Sequence, residues 1–194
     1  MSQSHAISIF DPLRLGDRSR IMQAIFVVAG TLVLAVASRI SVPMIPVPIT
    51  MQTFALTMIG ALYGWRLGGL TVLVWLGEAA LGMPVLANGA GGLAPFMGPT
   101  AGYLVSFPIV AMVAGWLAEK GWTGERYISS FAAHLLANLV CLAIGGAWLA
   151  VLLGAEKGWM FGVAPFILGG VLKSALAAAV LMGIRNYGGR KTAH

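Results

Sequence analysis

Long apolar runs dominate the chain, separated by short charged intervals or by intervals rich in proline and glycine. Six such runs occupy residues 21–38, 51–64, 67–81, 100–118, 128–153 and 159–184. A helix needs about 20 predominantly apolar residues to cross a hydrocarbon layer, and the longer runs meet that length. The runs at 51–64 and 67–81 are shorter, with only Trp65 and Arg66 between them. They are expected to extend into their flanking segments or to sit partly inside the bundle. The pattern predicts an all-α integral membrane protein with six transmembrane helices over residues 21–184. It forms a single membrane domain, with residues 1–20 as an N-terminal segment and 185–194 as a tail.

Two intervals depart from the usual polar loop. Residues 41–50 carry Pro43, Pro46 and Pro48, which forbid a helix and favour an extended chain. Residues 82–100 read GMPVLANGAGGLAPFMGPT, rich in glycine and proline and free of charge. Apolar, non-helical backbone beside a membrane is stable when it is buried in protein or lines a cavity. The alternative is a pair of amphipathic loops resting in the lipid interface.

Charge fixes an expected topology. Of 194 residues only 9% are charged and 59% are hydrophobic, whereas a soluble domain carries about 25% charged residues. The net charge of +6 comes from residues at segment ends, which points to membrane topology rather than to nucleic-acid binding. With six crossings, Arg14, Arg18, Arg20, Arg66, Lys120, Arg126, Arg185, Arg190 and Lys191 fall on one side, and Arg39 and Lys157 on the other. The positive-inside rule then places both termini in the cytoplasm of a bacterial inner membrane and both unusual loops outside. Ala35-Val36-Ala37 resembles a signal-peptide cleavage site, but a head of about 20 residues with aspartates among its arginines argues for a retained first helix.

The chemistry offered by the spans is sparse. No Gly-x-x-x-x-Gly-Lys-Ser/Thr phosphate loop, His-Glu-x-x-His or Gly-x-Ser-x-Gly occurs, and the single Cys141 excludes an internal disulfide and most cysteine metal sites. No catalytic residue, metal site or cofactor is expected. Lys173 is the exception in the last run: residues 158–172 and 174–184 on either side carry no charge. An ammonium inside such a helix costs roughly 2.5–3.5 kcal/mol on insertion scales. It either faces a polar cavity or an anionic ligand, or is paired within the bundle; at about 18 Å from Arg185 it is too deep for easy snorkelling. Glu78 is the one acid within a span, near the outer end of the third run, either a proton site or partner for Lys173 or an interfacial carboxylate. His134 and Asn138, four apart, suit a local hydrogen-bonded pair. Trp75 and Tyr103 are candidates for stacking on a ligand ring. Thr50, Gln52, Thr53 and Asn88 offer neutral hydrogen bonders where the loops meet helices. Together these residues describe an outward pocket with an apolar lining and one deep lysine, suited to a small, mostly apolar solute with an anionic group. An intramembrane enzyme using Glu78 or His134, or a scaffold subunit using its glycine ridges, are the rival readings.

The run from Pro46 to Ala55, PVPITMQTFA, resembles the most recognisable motif of the biotin-specific substrate-capture (S) component, BioY, of energy-coupling-factor transporters. So do Gly82-Met83-Pro84-Val85 with Gly91-Gly92-Leu93, and the run Gly98 to Leu104; Pro165-Phe166, Gly169 and Leu172-Lys173 fall where that family has its last-helix motif. The likeness covers residues 21–184. It implies a six-helix protein that binds biotin from outside with high affinity and mediates its uptake. It also implies partners: a transmembrane coupling subunit and a pair of ABC ATPases, consistent with the missing phosphate loop. Transport without the ATPases stays open. By the same resemblance Lys173 lies near the biotin carboxylate or pocket. Asn88, Gly91, Gly92, Tyr103, Gln52 and Thr50 fall at substrate-binding positions, and Thr31 and Ala35 of the first helix face the coupling subunit. Many relatives carry an aspartate three residues before the lysine, where this chain has Gly170. Some carry a polar residue at the position of Ala90 or an arginine at that of Leu104.

Overall fold

The structure is a computed structural model that describes residues 13, 15–124 and 126–191; Arg14 and most of the expected N-terminal segment lie outside the described residues. Among the described residues six α-helices follow in order: α1 Arg20–Arg39, α2 Gln52–Ala80, α3 Ala101–Glu119, α4 Tyr127–Leu153, α5 Ala155–Gly162 and α6 Ala164–Lys191. Among the described residues, five helical stretches are long and apolar enough to cross a membrane, the fifth spanning α5 and α6 together. Large apolar side chains cover the outside. On α1 alone, Ile21, Ile25, Val28, Leu32 and Val36 stand exposed at helical spacing. With the exposed apolar side chains of the other helices, such as Leu73, Val105, Leu139 and Leu168, this stripe makes an exterior that suits contact with lipid.

The second and third expected spans form one stretch, α2, folded back on itself. Gly64 adopts φ 78°, ψ 168°, a conformation open to glycine and strained for other residues. A Cβ on Gly68 would lie 3.0 Å from Gly60 Cα, although along a straight helix these residues are about 12 Å apart. The chain therefore reverses at 64–66 and its two limbs run side by side. Glu119 at the end of α3 secures the reversal, its Oε1 accepting from Trp65 N at 3.1 Å and so satisfying a free donor at the start of the second limb.

Helix α3 packs along both limbs. A Cβ on Gly60 would strike the carbonyl of Ala111, and one on Gly115 would sit 2.5 Å from Trp65 N. These contacts are close backbone approaches that only small residues permit. The core gathers Leu34 from α1, Leu56, Val72 and Trp75 from α2, Phe107 and Val110 from α3 and Leu149 from α4. The last expected span, 159–184, is divided: α5 ends at Gly162 and α6 begins at Ala164, with Pro165 in the first turn, where its missing N–H costs nothing. The helix continues to Lys191, through much of what the sequence pattern assigned to a tail.

The two unusual loops fold onto one end of the bundle. Residues 41–42 and 49–50 pair as short antiparallel strands β1 and β2, with Ser41 opposite Thr50. The segment 82–100 is tied down by backbone bonds from Gly92 N to Ala79 O (2.7 Å) and Leu86 N to Ala90 O (3.0 Å). Arg39 adds a bond from its guanidinium to Pro84 O (2.7 Å). Val47, Val85 and Leu86 enter the core, while Ile45, Leu93 and Met97 point outward. One face of these loops thus packs on the protein interior and the other is exposed.

Thr31 is 3% exposed and bonds Val28 O within its own helix, and Ala35 is packed against the core cluster. Neither is presented as an open ridge, because Gly30 lets α1 approach Thr71 and Tyr63 so closely that this face turns inward.

Gly60→Val is expected to lower the thermal unfolding midpoint of the detergent-solubilised protein by several degrees, since its added methyls must displace the Ala111 carbonyl. Gly77→Ala, with nothing within 4 Å of the new Cβ, is expected to be neutral or stabilising by up to about 1 kcal/mol. Equal effects of the two would refute the close-approach account.

Candidate functional site

Beneath the two folded loops lies a cavity of about 380 Å³, within the usual range of small-molecule sites, roughly 300–1,000 Å³. Its roof is formed by Pro46, Val47 and Pro48 from the β1–β2 hairpin and by Leu86, Asn88 and Pro95 from the segment 82–100. Its walls come from α3 (Tyr103, Leu104, Phe107), α4 (Asn138, Cys141, Leu142) and α6 (Phe166, Gly170, Lys173). The prolines matter physically: they hold non-helical backbone in place over the cavity and remove N–H donors that would otherwise need partners there.

Lys173 is half-buried in the wall, about 14 Å along α6 from its first residue by helical rise. Its Nζ donates to Thr53 Oγ1 on α2 at 3.3 Å, and none of the residues lining the cavity is acidic. A hydroxyl offers a dipole but no counter-charge, so the site is electrostatically prepared for an anion in surroundings of low dielectric. Glu78 neither lines the cavity nor bonds Lys173; it is not the lysine's partner.

Thr50 and Gln52 do reach the cavity, but their polar atoms are largely committed. Thr50 Oγ1 donates to Gln52 Oε1 at 2.8 Å, and Gln52 Nε2 donates to the buried Ser38 Oγ at 2.9 Å, which itself donates to Leu34 O. This network anchors the start of α2 to α1 and fixes the loop that roofs the site. Asn88 lines the mouth at φ 56°, a backbone conformation that asparagine tolerates better than most residues. Its Oδ1 accepts from Ser41 Oγ at 3.1 Å, joining the two loops, and among the described residues its amide donors have no partner. Gly91 and Gly92 stand behind the wall: Gly91 packs against the Met83 carbonyl and Gly92 N bonds Ala79 O, while Ala90 is the residue that lines the cavity.

Tyr103 contributes its ring to the wall and packs at 6.0 Å against Phe166. Its hydroxyl donates to Gly162 O at 2.5 Å, tying α3 to the break between α5 and α6. Gly145 carries no side chain because the Tyr103 ring occupies that space. Trp75 lies one layer behind, fully buried, stacked on Phe107 at 6.1 Å and donating from Nε1 to Val85 O; Phe107 rather than Trp75 meets the cavity. The His134–Asn138 pair takes a different form from the one expected. Asn138 bonds the backbone oxygen of His134, and neither ring nitrogen of His134 has a hydrogen-bond partner among the described residues. Neither Glu78 nor His134 belongs to the lining. Sequence reasoning passed over Phe107, which lines the cavity, and Ser38, which anchors Gln52; apolar and hydroxyl residues inside apolar spans carry no signal of which face turns inward.

A model of the BioY family matches residues 10–190. The chain is 39% identical over 146 residues to a protein of Pyrococcus horikoshii named a probable biotin transporter BioY, covering 75% of this chain and 85% of that one. It is 38% identical over 181 residues to the biotin transporter BioY of Rhizobium etli, covering 87% and 96%. A solved structure, the S-component for biotin from an ECF-type ABC transporter, superposes with a TM-score of 0.76 at 25% identity, covering 86% of this chain and 92% of that one.

Replacing Tyr103 by Phe is expected to destabilise the fold by about 1 kcal/mol or slightly more, because it strands the Gly162 carbonyl beside an apolar ring edge. Thermal unfolding in detergent checks this, and an unchanged midpoint would mean that the α3–α5 tie carries no weight.

Proposed function

Because this chain belongs to the BioY family, we propose that it binds biotin with high affinity in the cavity beneath its two loops and mediates its uptake across the cytoplasmic membrane. It is a transport protein rather than an enzyme. The observation that carries the ligand assignment is the cavity itself: mostly apolar, sized for a small molecule, with one ammonium and no acid in its lining. Biotin matches that chemistry with an apolar chain and thioether ring, one carboxylate, and a neutral cyclic urea. In this reading Lys173 meets the carboxylate, the Tyr103 and Phe166 rings pack the apolar body, and Asn88 donates at the rim. Thr50, Gln52, Gly91 and Gly92 hold the loops that roof the site.

The proposed topology has six crossings, the two limbs of α2 counting separately, and both termini in the cytoplasm. Arg66 and Lys120, at the end of the bundle opposite the cavity, support that orientation under the positive-inside rule. The chain would work as the substrate-capture subunit beside a transmembrane coupling subunit and ABC ATPases, which supply the ATP-driven step for which this sequence has no phosphate loop. On α1 the exposed stripe Val28, Leu32 and Val36 is the face open to such a subunit or to lipid, with Thr31 and Ala35 just beneath it.

Calorimetric titration of the detergent-solubilised protein with biotin is expected to show saturable binding, and Lys173→Ala to weaken it at least tenfold, about 1.4 kcal/mol, through loss of a charge-assisted contact. Biotinamide is expected to bind the wild type more weakly than biotin does. No binding by folded wild-type protein would refute the ligand; equal binding of biotin and its amide would refute the carboxylate contact.

A further inference from the structure

Asn138 shares the cavity wall with Lys173, and its amide is held in one orientation. Both N–H groups of Nδ2 are committed, one to His134 O at 3.0 Å and one to Ser174 Oγ at 3.1 Å. Ser174 Oγ spends its own proton on Gly170 O at 2.7 Å, so only a lone pair of that hydroxyl faces Asn138. A flipped amide would set Oδ1 against a carbonyl and against a hydroxyl oxygen whose proton points elsewhere. The network therefore fixes which end of the amide is free.

The free end is an acceptor. Oδ1 takes no hydrogen bond among the described residues, yet it is not one of the buried polar atoms sealed without a partner; those are Thr123 Oγ1, Ser130 Oγ and the two ring nitrogens of His134. With the residue 4% exposed and lining the cavity, the access left to Oδ1 is into that space. Gly170 lines the same wall without a side chain; a Cβ there would lie in ordinary contact, 3.9 Å from Asn138 Cβ. The other amides in the lining are already engaged: Gln52 Oε1 accepts from Thr50 and Asn88 Oδ1 from Ser41. None of the lining residues has a carboxylate.

We propose that Asn138 Oδ1 accepts a hydrogen bond from a ring N–H of the bound ligand and is a specificity-determining residue of the site. This rests on the biotin reading, since biotin's ring is a cyclic urea with two N–H donors. The acceptor is oriented before binding, so little is lost in ordering it. A ligand without the N–H leaves Oδ1 desolvated and unpaired, and the site discriminates against it on that account.

The test is calorimetry of the full chain in detergent with biotin, with biotinamide, and with biotins methylated at each ring nitrogen in turn. Wild type and Asn138→Ala are compared. Asn138→Ala is expected to weaken biotin and biotinamide alike, by about tenfold or more. Methylation at one of the two nitrogens is expected to weaken wild type by a similar factor and to have no further effect on Asn138→Ala, as a shared contact requires. Unchanged biotin affinity in Asn138→Ala, or equal further losses for both methylated ligands in that variant, overturns the proposal. If Asn138→Ala does not fold, the wild type decides through the methylated ligands: indifference to both overturns it. Wild type that binds biotin but fails these comparisons keeps the function and loses the acceptor. Wild type that binds no biotin loses both.

Discussion

A single ammonium placed in the wall of an apolar helix bundle, with a threonine hydroxyl as its protein partner, sets the terms for the rest of this molecule. Removing a lysine from water costs energy that one neutral hydrogen bond does not return. The charge is tolerable because Lys173 lies beside a cavity rather than against lipid, and the cavity persists because two stretches of non-helical backbone roof it. That backbone in turn is stable there because its polar groups find partners in the protein: in the β1–β2 pairing, in the bonds to Ala79 O and Ala90 O, and in the Arg39 guanidinium. Charge, cavity and loops are thus one linked arrangement.

The bundle beneath is built on close approach. In a membrane the hydrophobic effect does not draw helices together, so packing must come from contact between surfaces that fit. Gly60, Gly68 and Gly115 bring α3 and the two limbs of α2 into backbone contact, and Gly145 admits the Tyr103 ring. The Tyr103 hydroxyl then reaches the break between α5 and α6. The rigid half of the site, Tyr103 and Phe107, is carried by this tightly packed unit. Lys173 and Phe166 come from α6, which touches α2 mainly through a smaller cluster of Met58, Ala61, Ala177 and Leu181.

Much of this was legible in the sequence, and for identifiable reasons. Apolar runs of spanning length, charges confined to their ends, and prolines that exclude helix report on one-dimensional properties. These give the helical membrane class, the two non-helical loops and the isolation of Lys173. The resemblance placed Tyr103, Asn88, Gln52, Thr50 and Lys173 in one region, and all five line the same cavity. The boundaries were less secure. Residues 51–64 and 67–81 form a single folded-back element, and 159–184 is divided at Val163, because a reversal at one glycine or a break before one proline leaves hydropathy unchanged.

What the sequence by itself determined is which segments leave water and where a charge must be accommodated, since these follow from transfer free energies summed along the chain. What only the tertiary structure decided is which face each helix turns inward and which polar atoms are already spoken for. Thr31 turns to the interior, Glu78 stands apart from Lys173, and Gly91 and Gly92 stand behind the wall that Ala90 completes. The amide of Asn138 bonds the backbone oxygen of His134 rather than its ring, and reaches across to Ser174 on α6. Such pairings depend on contacts between α4 and α6 dozens of residues apart. They are settled by packing and by the requirement that buried donors find acceptors, which no local pattern encodes.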